Sequence, residues 1–172
     1  VIKSFNSPKI RYIRKEHSGI AATRNHALRE AKGEYIIWVD SDDEVSPYLL
    51  EKYIEAVNNY PDADVFYCNL LIINQEKNEI VPLRYYDWYK NEMNALYYSI
   101  IAGSPIPDPS TLIKKSIFNE IGTFNETFSR AQDFEFYSRL ILSKKFHFKF
   151  INQFGYIYYI HDDNNTGIIT SQ

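Results

Sequence analysis

An apolar run, Tyr35-Ile36-Ile37-Trp38-Val39, stops abruptly at Asp40-Ser41-Asp42-Asp43. Composition and length make Tyr35 to Val39 a strand covered on both faces, as strands of a parallel sheet are. Ligands of open α/β sheets bind just outside the carboxyl ends of such strands, where Asp40, Asp42 and Asp43 fall. Carboxylates this close repel one another, and burial alone would push one towards the neutral acid. A divalent cation removes the conflict, because it takes several hard oxygen ligands. The segment therefore points to a metal–phosphate site at a strand end, against the plainer alternative of a hydrated acidic loop before a helix.

The surrounding pattern extends the strand into an alternating fold. Lys9 to Arg14 reads as a short strand. Ile20 to Ala31 reads as a helix with Ile20, Ala21, Thr23, Ala27, Leu28 and Ala31 as its inward stripe, ended by Gly33. Ser46-Pro47 reads as the start of a second helix, serine as cap and proline at its first position. Its stripe is Leu49, Leu50, Tyr53, Ile54 and Val57. Asp64 to Ile73 is a further apolar strand, with Ile80 to Tyr85 as its hairpin partner. This β-α-β-α-β order predicts an α/β fold with parallel strands. Beyond it, Tyr89 to Ile101 reads as helix, Gly103 to Pro109 as a stiff proline-punctuated loop, and Ser110 to Ile113 as a strand. Ser116 to Ile121 and Asp133 to Ser143 read as helices, Phe146 to Ile151 and Tyr156 to Ile160 as closing strands. The polar tail from Asp162 is expected to be mobile.

The chain has 172 residues, enough for one domain with one sizeable core. Its net charge of −3 gives no general attraction to nucleic acid or anionic lipid. The single cysteine, Cys68, excludes an internal disulfide and fits a reducing, cytoplasmic setting; within Val65-Phe66-Tyr67-Cys68 it reads as a core residue. No apolar stretch approaches the ~20 residues of a membrane helix, and no signal peptide opens the chain. The 15 Tyr and 11 Phe fit a carbohydrate-handling cleft, or equally a composition biased towards Lys, Ile, Asn and Tyr.

Five segments in order resemble the family-2 glycosyltransferases of the GT-A fold. Gly19-Ile20-Ala21-Ala22-Thr23-Arg24-Asn25 is close to that family's G-x-x-x-A-R-N. Ala31-Lys32-Gly33-Glu34-Tyr35-Ile36 followed by Asp40-Ser41-Asp42-Asp43 matches A-x-G-x-Y-I and D-x-D. Gly122-Thr123-Phe124-Asn125-Glu126 is close to G-G-F-D-E, with Thr123 and Asn125 as departures. Gln132-Asp133 through Arg139 matches E-D-x-x-x-x-x-R, with Gln132 in place of the usual Glu. Tyr158-Tyr159-Ile160-His161 is like the family's aromatic run ending in histidine.

The resemblance implies a GT-A, Rossmann-like, mixed and mainly parallel sheet flanked by helices. It also implies one domain over 1–172: a donor half to about residue 73, an acceptor and catalytic half from about 74 to 161, and the tail. Family members open with a strand–helix–strand unit that holds the nucleotide base and needs about 30 residues, whereas nine residues precede Ile10 here. The resemblance thus implies an N-terminally truncated fold whose base pocket lies outside this chain.

The implied activity is inverting transfer of a sugar from a nucleotide-sugar, UDP-linked by the family's habit. The acceptor would be a hydroxyl of a glycan or lipid-linked molecule, in bacterial surface polysaccharide synthesis, with the protein peripheral at the inner membrane face. Asp42 is the first candidate ligand for Mg²⁺ or Mn²⁺, with Asp40 supporting it or holding the ribose and His161 as a further ligand. Asp43 would line the loop or touch the sugar. Gly19 and Arg24 would border the nucleotide. Asp133 is the candidate general base, or else merely a helix cap; Glu135, two residues on, reads as solvent-facing and Arg139 as structural. Trp88, Asp108 and Gln132 fall on the acceptor side. Two rival readings stand beside this one. A non-catalytic remnant or binding module of the same fold is favoured by the missing unit. A nucleotidyltransferase would want a glycine-rich phosphate loop at its start, and none is visible.

Overall fold

A computed structural model describes residues 4, 5, 7–85, 87 and 106–160. The elements in chain order are α1 (Ile20–Glu30), β1 (Tyr35–Ile37), β2 (Glu44–Val45), α2 (Leu49–Asn59), β3 (Val65–Asn74) and β4 (Glu79–Leu83). A 3₁₀ turn at Asp108–Ser110 then leads into β5 (Leu112–Lys114), α3 (Ile117–Ile121), α4 (Gln132–Leu142) and β6 (Phe148–Ile160).

The strands form one sheet in the order β1-β5-β3-β6-β2, with β4 paired to β3. β3 and β6 are parallel, and every other described pairing is antiparallel. β1, β3 and β6 therefore run one way, and β2, β4 and β5 the other. The fold is the expected α/β mixed sheet, but it is not mainly parallel. The hairpin strand β4, the short return β2 and the inserted β5 supply the reversals. Sequence order showed β1 and β3 as successive parallel strands; it could not show β5 entering between them.

Both faces of the sheet are covered. Val65 and Tyr67 of β3 point towards Ala21 and Leu28 of α1, Ile117 and Phe118 of α3, and Phe136 and Leu140 of α4. The alternate residues Phe66 and Cys68 pack with Leu49, Tyr53 and Ala56 of α2, as the two-residue period of a strand requires. β1 divides the same way, with Ile36 in the first cluster and Tyr35 and Ile37 at the margin of the second. Cys68 is a buried free cysteine, as expected.

Several local expectations need correction. Residues 10 to 19 hold no regular structure. Ile10, Tyr12 and Ile13 are 47%, 50% and 41% exposed, because no described strand lies beside them to pair. The buried stripe of α1 is Ala21, Asn25 and Leu28; Ile20, Thr23 and Ala27 instead line a cleft. α2 begins at Leu49 rather than at Pro47, and Leu50 and Ile54 face outward. The two closing strands are a single β6. Its register against β3 slips at Asn69, which pairs with Phe154 although Cys68 pairs with Ile151. Such a bulge bends a strand without ending it. The helix expected at Tyr89 to Ile101, residues 103–105 of the loop expected at Gly103 to Pro109, and the tail lie outside the described residues.

Gly155 sits where β6 crosses α2. A Cβ there would meet Leu49 Cδ1 at 2.5 Å and Cys68 Sγ at 2.6 Å. Both neighbours are fully buried, so neither swings away freely. Gly155→Ala should destabilise the chain by about 1–3 kcal/mol, read as a lower midpoint in urea with unchanged slope.

Candidate functional site

The acidic loop owes its position to sheet order. β1 and β2 lie at opposite ends of the path β1-β5-β3-β6-β2. The loop 38–43 joining them must therefore cross the ends of the intervening strands. It is pinned to β6 on the way: Asp40 N–H donates to Tyr156 Oη at 3.1 Å, Tyr156 O–H donates to Asp43 Oδ2 at 2.8 Å, and Tyr159 N–H donates to Asp43 Oδ1 at 3.0 Å. Burial raises the Asp43 carboxyl above its ordinary value, partly offset by the hydrogen bonds from Tyr159 and Tyr156. Burial likewise pushes the Tyr156 phenol up, so it remains a donor. Asp43 is thus the strut of this loop. Asp40, with a side chain 54% exposed, and the exposed Asp42 are the carboxylates that face outward.

A cleft of about 800 Å³ opens beside this loop, within the size range of small-ligand sites. Gly19, Arg24, Trp38, Asp40, Thr127 and Phe128 are among its walls. Gly19 caps α1 with φ of 84°, a left-handed conformation that an L side chain rarely adopts. That lets the chain turn into α1 directly at the cleft. His17 also lines it.

Arg24 joins the acidic loop to the interior. Its Nη2 lies 2.6 Å from Asp108 Oδ2 and 4.0 Å from Asp40 Oδ1. The guanidinium packs over the rings of Trp38 and Phe124, 5.6 and 5.4 Å from their centroids. Burial opposes its charge, but the carboxylates of Asp108 and Asp40 outweigh burial and raise its pKa. Asp133, half-buried in the first turn of α4, adds to the field felt by both Arg24 and Asp108. Its side chain caps nothing; α4 begins after Ala131 without a side-chain cap. Gln132 beside it is buried.

Asp108 is not an open acceptor-side residue, because it is 5% exposed and lies under Arg24. Burial raises its carboxyl to about 6, with Arg24 only partly opposing. A raised folded value means that the fold prefers the neutral acid. That stabilising contribution is complete below the ordinary value of 3.8 and is lost as pH rises through about 6. Asp108→Asn, which cannot ionise, should therefore match the wild type near pH 4. At pH 7.5 it should exceed it by up to about 3 kcal/mol. Chemical denaturation at the two pH values measures the difference.

Asn25 and Arg139 are structural. Asn25, 3% exposed, donates to Phe124 O and Glu126 Oε1, each at 2.8 Å, and accepts from Phe124 N–H at 3.0 Å. Arg139 donates to the carbonyls of Ile121 and Thr123 and pairs with Glu135. Glu135 is thus half-buried and paired, not solvent-facing as expected; the i, i+4 spacing on α4 draws it to Arg139. Trp88 and His161 lie outside the described residues. Among the described residues no three His, Cys, Asp or Glu side chains converge as metal ligands. Trp38 and Tyr156 are site residues that composition alone could not mark, since each sits in an aromatic run that reads as core.

Residues 1–122 match the profile described as glycosyl transferase family 2. The chain belongs to that family. An uncharacterized glycosyltransferase of Rickettsia typhi is 29% identical over 139 residues, covering 77% of this chain and 42% of the relative. The chondroitin synthase of Escherichia coli is 28% identical over 163 residues, covering 94% of this chain and 22% of that protein. Among solved structures, S. aureus TarS in complex with UDP-GlcNAc superposes with a TM-score of 0.66 at 20% identity. That match covers 91% of this chain and 43% of TarS, and shows a shared GT-A-type fold. This family-2 chain thus spans less than half the length of these relatives. Among the described residues no helix is long and apolar enough to cross a membrane.

Proposed function

We propose that this family-2 chain carries the donor diphosphate and catalytic parts of an inverting glycosyltransferase. The donor is a nucleotide-sugar, UDP-linked, and the acceptor a hydroxyl of a glycan or lipid-linked molecule in surface polysaccharide synthesis. The observation that carries the reading is the gathering of Asp40, Arg24, Asp108 and Asp133 around one end of the sheet, beside the cleft that begins at Gly19. The solved relative TarS is described with UDP and with UDP-GlcNAc, and a chondroitin synthase is among the relatives. The first favours a UDP-sugar over other nucleotide donors, and the second a glycan product.

In this reading Asp133 accepts the proton of the acceptor hydroxyl as its oxygen attacks the anomeric carbon. The bond from that carbon to the diphosphate breaks, and the diphosphate leaves with the electron pair. The first turn of α4 puts the positive end of the helix dipole at this carboxylate, which a base must present to the hydroxyl. Arg24 supplies positive charge towards the departing anion. Asp43 keeps Asp40 and Asp42 in place through Tyr156 and Tyr159.

Asp42 and Asp40 would hold Mg²⁺ or Mn²⁺, with His161 as a further ligand. The donor set suits such an ion: two outward carboxylates fit a cation that keeps waters and binds substrate phosphates, rather than one caged by protein alone. The ion would supply charge to stabilise the leaving diphosphate.

Calorimetric titration of UDP, with and without Mn²⁺, tests the donor reading. Metal-dependent heat that is lost in Asp42→Ala is expected. Heat that is indifferent to metal and to Asp42 would contradict the proposed metal site. No heat at all would favour a non-catalytic module of the same fold.

A further inference from the structure

The pairing of Arg24 with Asp108 is built at a cost that packing does not explain. A buried ion pair is a net gain only when its geometry is good and its remaining polar atoms are satisfied. Here the contact is made at one point, between Nη2 and Oδ2. Arg24 Nη1 is buried without a hydrogen-bond partner, and the buried Tyr137 hydroxyl lies against the Asp108 carboxyl. The carboxylate is nonetheless held firmly. Asp108 opens the 3₁₀ turn Asp108–Ser110 behind Pro107. Ser110 Oγ donates to Cys68 O, Thr111 Oγ1 donates to Pro107 O, and Tyr53 O–H donates to Ser110 O. β5 then fixes the turn beside the end of β1, since Leu112 pairs with Ile37.

The same guanidinium lies 4.0 Å from Asp40. Were Asp108 neutral, nothing on the interior side would match the pull of Asp40. Arg24 would then close on Asp40 and neutralise the carboxylate that faces the cleft. An ionised Asp108 outcompetes it, leaving Asp40 open and the cation set back in the cleft wall.

We infer that Asp108 is a positioning residue of the donor site. It holds Arg24 between the Trp38 and Phe124 rings and away from Asp40. The cleft thereby presents a preset cation and a separate open carboxylate to an anionic diphosphate. This inference rests on the donor reading above, and it assigns Asp108 to the donor side, acting through Arg24 rather than by touching the substrate.

The test is a double-mutant cycle on UDP affinity in the presence of Mn²⁺, with the wild type, Asp108→Asn, Arg24→Lys and the double variant. Each single variant should weaken binding roughly 5- to 20-fold, the range of a charged contact misplaced but not abolished. The double variant should be no weaker than the poorer single one, because Asp108 acts only through Arg24. The thermal midpoint of Asp108→Asn at pH 7.5 should not fall, whereas a merely structural carboxylate would lower it on removal. Losses that multiply in the double variant, or Asp108→Asn within twofold of the wild type, would overturn the inference while leaving the donor reading intact. No binding by the wild type would overturn the donor reading and the inference with it. A second readout needs no variant at Asp108. In wild-type protein the Arg24 guanidinium resonances, assigned by their loss in Arg24→Lys, should shift when UDP is added. Resonances that stay unmoved while UDP binds would overturn the inference.

Discussion

Asp133→Asn should lower the rate of sugar transfer by roughly 10²- to 10⁴-fold, the ordinary contribution of a positioned general base. UDP affinity should stay within about twofold, since the proposed mechanism puts this residue on the acceptor side, opposite the leaving group. The expectation follows from placement. Asp133 lies in the first turn of α4, half-buried, with no capping duty and no ion pair among the described residues. Its charge reaches Arg24 and Asp108, so it belongs to the same polar group as the acidic loop. Asparagine keeps the shape and removes only the proton acceptor. The assay is transfer from a UDP-sugar by the longest natural chain that contains this domain, with UDP calorimetry on the same sample. Transfer that survives the substitution would remove Asp133 as the base.

Asn25→Ala should cost the fold about 3 kcal/mol, because it strands both polar groups of the Phe124 backbone in a buried setting. Three hydrogen bonds from one side chain tie α1 to the segment before α4. A domain of this size loses about 2–4 °C in melting midpoint for each kcal/mol, so a thermal scan reads the effect directly. Asn25→Asp retains the acceptor for Phe124 N–H but puts a carboxylate against Phe124 O and Glu126. It should be worse than alanine at neutral pH and recover as the two acids protonate. An alanine variant as stable as the wild type would contradict the clamp.

The two halves of the family's pattern thus meet through one asparagine. In sequence Asn25 and Phe124 are 99 positions apart, and nothing local predicts their contact. The acidic loop was legible for the opposite reason. A short apolar strand running straight into carboxylates marks a loop at a strand end, and its relation to Gly19, Arg24 and Asp133 came from matching motifs in order. Strand direction was not legible. β5 is three residues long and carries no sign of entering the sheet between β1 and β3. The role of Asp43 was hidden similarly, since its partners Tyr156 and Tyr159 lie on β6, more than a hundred residues away. Asp108 looked like a loop residue because its burial comes from Arg24 and the 3₁₀ turn, and not from any apolar pattern around it.

The most direct measurement is a crystal structure of this family-2 chain with UDP and Mn²⁺. The account predicts the diphosphate in the cleft between Gly19 and Asp40, with the cation on Asp42 and Arg24 still held by Asp108. UDP bound elsewhere, or a cation on other ligands with Asp40 and Asp42 unengaged, would contradict it.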